Sequence, residues 1–258
     1  MLIAIDIGNT NITLGVYRGA QLQFVFRLAS DRMRTADQYT VEISSILHLN
    51  AVQPENGAAI IGSVVPDLTG PISLAVQRII GNRPLLVGPG LKTGLNIRTD
   101  IPGQLGADLV CGAVGAIEKY PLPALVIDLG TASKISVIDR TGTYCGCTIS
   151  PGVGISLDAL VRNGSLLPNV SLVTPKHAVG TNSEDCIRSG VILGTACMID
   201  GLIDRIEKER NEPVRSLVAT GGHAGKIIPS CAHEIALDDT LVLDGLRAIY
   251  DKNVHERE

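Results

Sequence analysis

Tryptophan is missing from this chain of 258 residues, and phenylalanine occurs only twice. Without aromatic platforms, a protein does not hold single-stranded nucleic acid or free bases by ring stacking. A basic surplus is missing too: 22 Lys and Arg face 26 Asp and Glu, for a formal charge of −4. Few counterions would be released on binding a polyanion, which argues against nucleic acid or an anionic membrane as partner. The apolar runs are strand-sized, and none approaches the ~20 residues of a membrane span. Met1-Leu2-Ile3 leads straight into a strand-like run with no basic segment before it. No secretory signal is expected, and the expected location is cytoplasmic. Gly-x-x-x-x-Gly-Lys-(Ser/Thr), Gly-x-Ser-x-Gly and His-Glu-x-x-His are all absent. Their absence removes P-loop, esterase-type and zincin chemistry. The six cysteines follow no zinc-finger or ribbon spacing. Cys145 and Cys147, two apart on a strand, are expected on one face. Reduced thiols are the simpler reading, and a metal or redox role for the pair stays open.

What is present is an internal echo. Ala4-Ile5-Asp6-Ile7-Gly8-Asn9-Thr10 recurs, imperfectly, as Val126-Ile127-Asp128-Leu129-Gly130-Thr131-Ala132, about half the chain length away. Each copy reads as an apolar strand, a glycine turn and a second alternating strand. Such a repeat points to two similar halves. Two acidic hairpins facing each other would grip a nucleotide's phosphates from both sides. With a chain of this size burying roughly 70–75% of its unfolded surface, no disulfide or metal staple is needed.

Residues 2–7, 12–17 and 22–28 read as three antiparallel strands. A helix opens at Ala36-Asp37 and is expected to carry Tyr39, Val41, Ile43, Ile46 and Leu47 on one stripe. A strand over 58–64, a helix over 69–80 and a strand over 84–87 follow. Another helix begins near Asp108. Pro121-Leu122-Pro123 breaks the chain, giving expected domains 1–121 and 122–258. The second half repeats the plan, with strands at 124–129, 134–139, 143–149 and 216–220, and helices near 155–162 and 184–208. The polar tail 251–258 is expected to fray.

Three places carry candidate chemistry. In Asp6-Ile7-Gly8-Asn9-Thr10, glycine lets the backbone approach a phosphate, and successive N–H groups form an anion-binding concavity. Asp6 adds a hard oxygen suited to Mg²⁺. A capped hairpin turn explains one copy equally well; the second copy shifts the balance towards nucleotide. Gly106-Ala107-Asp108 opens a helix, where Asp108 is either a general base for an alcohol or an N-terminal cap. Gly221-Gly222-His223 follows a strand and would let a purine lie against the backbone, with His223 itself expected to be an ordinary exposed loop residue.

Together with Arg34-Thr35-Ala36-Asp37, Ser63-Val64-Val65-Pro66, Gly88-Pro89-Gly90-Leu91-Lys92-Thr93-Gly94-Leu95, Ile149-Ser150-Pro151-Gly152 and Leu157-Asp158-Ala159-Leu160, these blocks resemble the type III pantothenate kinases of bacteria. The resemblance covers residues 1 to about 230. It implies an α/β fold of two similar ribonuclease-H-like (actin/hexokinase-like) domains, each a mixed five-stranded-type sheet flanked by helices. It also implies homodimers that phosphorylate pantothenate with ATP, the first step towards coenzyme A, using Mg²⁺ and a monovalent cation (K⁺ or NH₄⁺). By position, Asp6 would hold Mg²⁺, and Gly8, Asn9, Thr10 and Thr131 would bind phosphates. Gly221 and Gly222 would lie near adenosine, Asp128 would serve the monovalent cation, and Asp108 would be the base. Gly106, Ala107, Thr99 and Ser183 would line the acceptor side.

The departures cluster on that acceptor side. Leu109 stands where the family has arginine, and a leucine replaces none of a guanidinium's charge-assisted hydrogen bonds. Ile101 stands for asparagine, and Cys147 for the second glycine after the hairpin. Ser133-Lys134 replaces two threonines, and Thr181-Asn182-Ser183 replaces Lys-Asn-Thr. Two alternatives therefore stand beside pantothenate kinase: a nucleotide-binding regulatory paralogue, and a kinase for another small alcohol.

Overall fold

The structure is a computed structural model and describes residues 1–254. In chain order its elements are β1 (Leu2–Ile7), β2 (Asn11–Arg18), β3 (Gln21–Ala29), α1 (Ala36–Leu49), β4 (Ala58–Ser63), α2 (Pro66–Ile80), β5 (Leu85–Leu86) and β6 (Asn96–Ile97). Then come α3 (Ala107–Lys119), β7 (Ala124–Leu129), β8 (Ala132–Ile138), β9 (Thr143–Pro151), α4 (Val153–Asn163) and α5 (Ser183–Arg210). The chain ends with β10 (Ser216–Thr220), α6 (Ala224–Ile227), β11 (Ala236–Leu237) and α7 (Leu241–Val254). The chain forms two units: the first takes Met1–Leu95, Asp100–Glu118 and α7, and the second takes Asn96–Thr99 and Lys119–Thr240.

Among the described residues, the first unit holds a five-stranded sheet in the order β3-β2-β1-β4-β5. The β1–β2 and β2–β3 pairs are antiparallel, and β1–β4 and β4–β5 are parallel. β1 is central and buried on both faces, which explains its unbroken apolar run. Ile3, Ile5 and Ile7 join the cluster containing Tyr39 and Ile43 of α1 and Leu68 and Ile72 of α2. Leu2 and Ala4 join a second cluster with Val110, Cys111 and Val114 of α3 and Leu243, Leu246 and Ile249 of α7. α1 starts as expected because Thr35 caps it in a reciprocal box with Gln38.

In the second unit the order is β11-β10-β7-β8-β9-β6. β9-β8-β7-β10-β11 repeats the strand order and directions of the first sheet. The sixth strand, β6, departs from the five-stranded expectation. It is added at the β9 edge, where the Arg98 N–H donates to the Tyr144 carbonyl at 2.9 Å. Its core joins Leu125, Ile127 and Leu129 of β7 to Ile187, Ile192, Ile199 and Ile203 of α5. By length and composition alone, α5 is long and apolar enough to cross a membrane. The sequence reading of strand-sized apolar runs overlooked this because polar residues such as Asp185 and Arg188 interrupt it. Its apolar stripe is spent on the core of its own unit.

Three features differ from the sequence expectation. α7 was not foreseen, and it packs in the first unit although it lies in the stretch 122–258. Its Leu243, Leu246 and Ile249 cover the β1–β4 face that α1 and α2 leave bare. Asp251–Val254 continue α7 where fraying was expected, while 255–258 lie outside the described residues. Cys145 and Cys147 do not follow simple alternation, because the β8–β9 register shifts between Val137 and Ile138 and leaves Cys145 without a partner residue. Cys145 lies beside Arg98, with Sγ 3.1 Å from Nη2. All six cysteines are free thiols. Burial pushes the Cys231 thiol up to about 12, with the charge of Asp200 and Cys197 adding to it.

A titratable clamp fastens the β10–β11 region to α5. His233 Nδ1 lies 2.9 Å from Asp200 Oδ1, and Nε2 lies 3.1 Å from Asp204 Oδ1. The hydrogen bond to Asp200 raises the His233 pKa; burial opposes this, and Asp200, Asp204 and Glu207 add charge. Burial works against the Asp200 carboxylate. Donation from the Ala232 and His233 N–H groups and the His233 ring outweighs it, leaving Asp200 below its ordinary value. A group raised on folding stabilises fully below its unfolded pKa of ~6.5 and loses that contribution as pH rises through the folded value. Comparing Tm of the wild type and His233→Gln across pH should therefore show the largest gap near pH 6 and a shrinking gap above it. A gap that does not change with pH would mean that the imidazolium contributes nothing.

Candidate active site

In the first unit, Asp6 is the last but one residue of β1, opposite Thr13 on β2 and Gly62 on β4. The Gly8 N–H donates to the Asn11 carbonyl at 3.0 Å and closes the turn, leaving Asn9 and Thr10 exposed. Ser30 holds this turn from outside: its hydroxyl donates to the Gly8 carbonyl at 2.6 Å, and its N–H to the Thr10 carbonyl at 3.0 Å. Sequence reasoning missed Ser30, since nothing local links it to a turn 22 residues earlier.

α3 passes beside this loop at Gly62. A Cβ there would stand 3.2 Å from Leu246 Cδ2, 3.4 Å from Cys111 Sγ and 3.9 Å from Ala107 Cβ, so the start of α3 packs close to the strand residue opposite Asp6. Asp108 is the second residue of α3 and accepts the Leu109 N–H at 2.8 Å. A carboxylate at this position is favoured by the helix dipole. The Cys111 thiol, one turn on, is pushed well upward by burial, and the charges of Asp6 and Asp108 add to the shift. Both carboxylates thus act on one buried thiol, and the first unit brings Asp6 and Asp108 to the same neighbourhood. Gly106 was expected to touch substrate. Its place has a second cause, because a Cβ there would stand 2.6 Å from Asp108 Oδ1.

In the second unit, Asp128 occupies the equivalent place on β7, opposite Thr220 on β10. The Gly152 N–H donates to the Thr131 carbonyl at 3.2 Å, and the His223 N–H to the Leu129 carbonyl at 3.1 Å. The 129–131 and 221–223 loops are thereby joined at the carboxyl ends of two parallel strands, where open α/β sheets bind ligands. Gly221 has φ +98°, and a Cβ on it would lie 2.8 Å from Asp128 Oδ1 and 2.7 Å from the Leu129 carbonyl carbon. Gly222 meets nothing within 4 Å. Asp128 Oδ2 forms an ion pair with Lys134 Nζ at 2.6 Å.

Three polar atoms of this unit are buried without a hydrogen-bond partner among the described residues: Thr99 Oγ1, Ser133 Oγ and His223 Nδ1. A buried polar group without a partner costs free energy, so such atoms mark places where a ligand or water completes the bonding. His223 corrects its expectation as an ordinary exposed loop residue, for it is half-buried. Burial lowers its pKa, with Lys226 adding. Ser183 is the exposed first residue of α5, next to the capping Asn182. The second unit also has a cavity of about 530 Å³, lined by Pro151, Leu160, Ile187, Val191 and Met198 among others. None of the expected acceptor-side residues lines it.

Known proteins are similar to this chain over nearly its whole length. A family profile described as type III pantothenate kinase matches residues 2–205. The type III pantothenate kinase of Moorella thermoacetica is 39% identical over 254 residues, covering 98% of this chain and 100% of the relative. That of Geobacter sulfurreducens is 38% identical, covering 98% and 99%. Among solved structures, a Sinorhizobium meliloti protein described as a 2-dehydro-3-deoxygalactonokinase gives a TM-score of 0.60 at 14% identity, covering 98% of this chain and 96% of that one. That likeness speaks for the fold alone. Together with the repeated strand order, it makes this a duplicated ribonuclease-H-like fold of the actin/hexokinase type.

Proposed function

The chain belongs to the type III pantothenate kinase family, and we propose that it phosphorylates pantothenate on its primary alcohol with ATP, with Asp108 as the base that takes the alcohol's proton. The reaction is the first step of coenzyme A biosynthesis. The observation that carries the assignment of roles is the packing of α3, with Asp108 in its first turn, against Gly62, the strand residue opposite Asp6. Phosphoryl transfer needs chiefly positioning and neutralisation of charge, plus an acceptor for one proton.

Asp6 would hold Mg²⁺, a hard cation that neutralises phosphate charge when bound with ATP. Among the described residues Asp6 is not part of a cluster of three or more His, Cys, Asp or Glu, so it would be a lone protein carboxylate on the ion. Mg²⁺ in kinases takes one or two carboxylates and fills its remaining positions with water and phosphate. The N–H groups and side chains of Asn9, Thr10 and Thr131 bind phosphates where the Gly8 turn lets the backbone come close, and Gly221-Gly222 lies against adenosine. On the acceptor side, Gly106, Ala107 and Ser183 contact pantothenate, and the unpartnered Thr99 hydroxyl donates to it. A monovalent cation does not fit at Asp128 in the same way, because Lys134 already pairs with that carboxylate.

The protein works as a homodimer in the cytoplasm. Ile149, Leu160, Leu166, Val173 and Val179 are exposed apolar side chains within one 31-residue stretch, a concentration that suits an interface between copies. Sedimentation reads the state directly. Six free thiols suit a reducing compartment.

A coupled ADP-release assay with ATP, Mg²⁺ and pantothenate, beside a control lacking pantothenate, tests the function. Pantothenate-dependent release is expected. One observation favours a second reading, a kinase for another small alcohol: Leu109, half-buried beside Asp108, offers no charge to a carboxylate-bearing acceptor. ATP binding without pantothenate-dependent release would move the assignment to that reading.

A further inference from the structure

Lys134 stands in place of a threonine, and its partner Asp128 is the carboxylate that the family resemblance gives to a monovalent cation. The two residues face each other across the β7–β8 hairpin. Nζ and Oδ2 are 2.6 Å apart, with the side chains only 13% and 22% exposed. The other carboxylate oxygen, Oδ1, points to the turn glycines: a Cβ on Gly221 would stand 2.8 Å from it and one on Gly130 3.4 Å. The turn between the paired strands is Gly130-Thr131, so the ammonium sits beside the loop assigned to phosphate.

We propose that Lys134 is this protein's own monovalent cation, compensating the negative charge of Asp128 beside the phosphate loop and freeing the kinase from added K⁺. An ammonium group is a compact single positive charge, as K⁺ is. A free ion occupies its site according to concentration and affinity. A tethered one is present at a high effective concentration whatever the medium. Removing it would leave a largely buried carboxylate unpaired, which is costly unless another cation enters. The inference rests on the kinase reading above and deepens it at one site.

The test uses the full-length protein and two readouts, Mg·ATP affinity by calorimetry and pantothenate-dependent ADP release. Both are measured in KCl, NH₄Cl and choline chloride at one ionic strength, so that screening is constant. For the wild type, both readouts should agree between choline and K⁺ to within about two-fold, since a tethered charge is indifferent to the medium. Lys134→Thr should lose roughly ten-fold or more in choline and recover in KCl or NH₄Cl, since those ions can fill the vacated charge. A wild type whose ATP affinity or turnover needs K⁺ overturns the proposal, as does a folded Lys134→Thr equal to wild type in choline. If Lys134→Thr does not fold, the wild-type salt comparison decides alone. ATP affinity that ignores K⁺, with no ADP release in any salt, would support the tethered cation and count against pantothenate as acceptor.

Discussion

Replacing Asp108 by asparagine is expected to lower kcat by about 10²–10⁴, the usual contribution of a positioned general base. In barrier terms this is about 3–5 kcal/mol. The substitution is close to isosteric, and asparagine can still accept the Leu109 N–H that Asp108 accepts now. It removes the proton acceptor while keeping the start of α3 intact. Because Asp108 is assigned to the alcohol rather than to ATP, Mg·ATP affinity should stay within about three-fold, as for an interaction made only in the transition state. Gly106→Ala supplies an independent arm. Its Cβ would stand 2.6 Å from Asp108 Oδ1 and push the carboxylate aside without removing it. A misplacement of that size costs up to about 10² in rate. Single-turnover ADP formation and calorimetric ATP binding together read both variants. An Asp108→Asn enzyme within a few-fold of wild type would move the base to another residue.

Much of this arrangement is legible in the sequence, because the chemistry of the two acidic hairpins is local. An apolar strand, Asp-x-Gly and a second strand specify a tight turn wherever they occur, and their recurrence at half-length points to two similar halves. The two-residue strands β5, β6 and β11 are too short to carry a period, although the segment over β5 was read as a strand from its apolar run. α7 has an apolar pattern of its own, but its place in the first unit depends on contacts across the whole chain length. The Cys145–Cys147 expectation failed for a physical reason: one bulged residue cancels the alternation on which it stood. Lys134 was visible as a departure from threonine. Its meaning came from register, since the hairpin sets it directly opposite Asp128. Gly115 and Gly245 gave no signal, for a glycine that makes room for a distant helix looks in sequence like any other helical glycine.

Gly245→Ala is the variant expected to damage stability most. A Cβ at 245 would stand 1.8 Å from the Cys111 carbonyl oxygen and 2.7 Å from its carbon, and one at 115 would stand 2.2 Å from the Leu241 carbonyl oxygen. These obstacles are backbone atoms of α3 and α7, so no rotamer change relieves them, and the helices must separate. Forced overpacking of this kind typically costs 1–3 kcal/mol, and a backbone collision belongs at the upper end, about 3 kcal/mol. For a protein of this size that is roughly 6–12 °C in Tm. The gain in helix propensity from replacing glycine, about 1 kcal/mol, opposes the loss without cancelling it. Gly201→Ala in α5 isolates that gain, because its Cβ meets nothing within 4 Å and the variant should match or exceed wild type. Activity should fall in the Gly245→Ala protein even below its Tm. α3 carries Asp108 in its first turn and Cys111 at the crossing, so a helix pushed off α7 takes the base with it. A Gly245→Ala protein that melts with Gly201→Ala and turns over like wild type would show that the crossing has room to spare and that the position of α3 is set elsewhere.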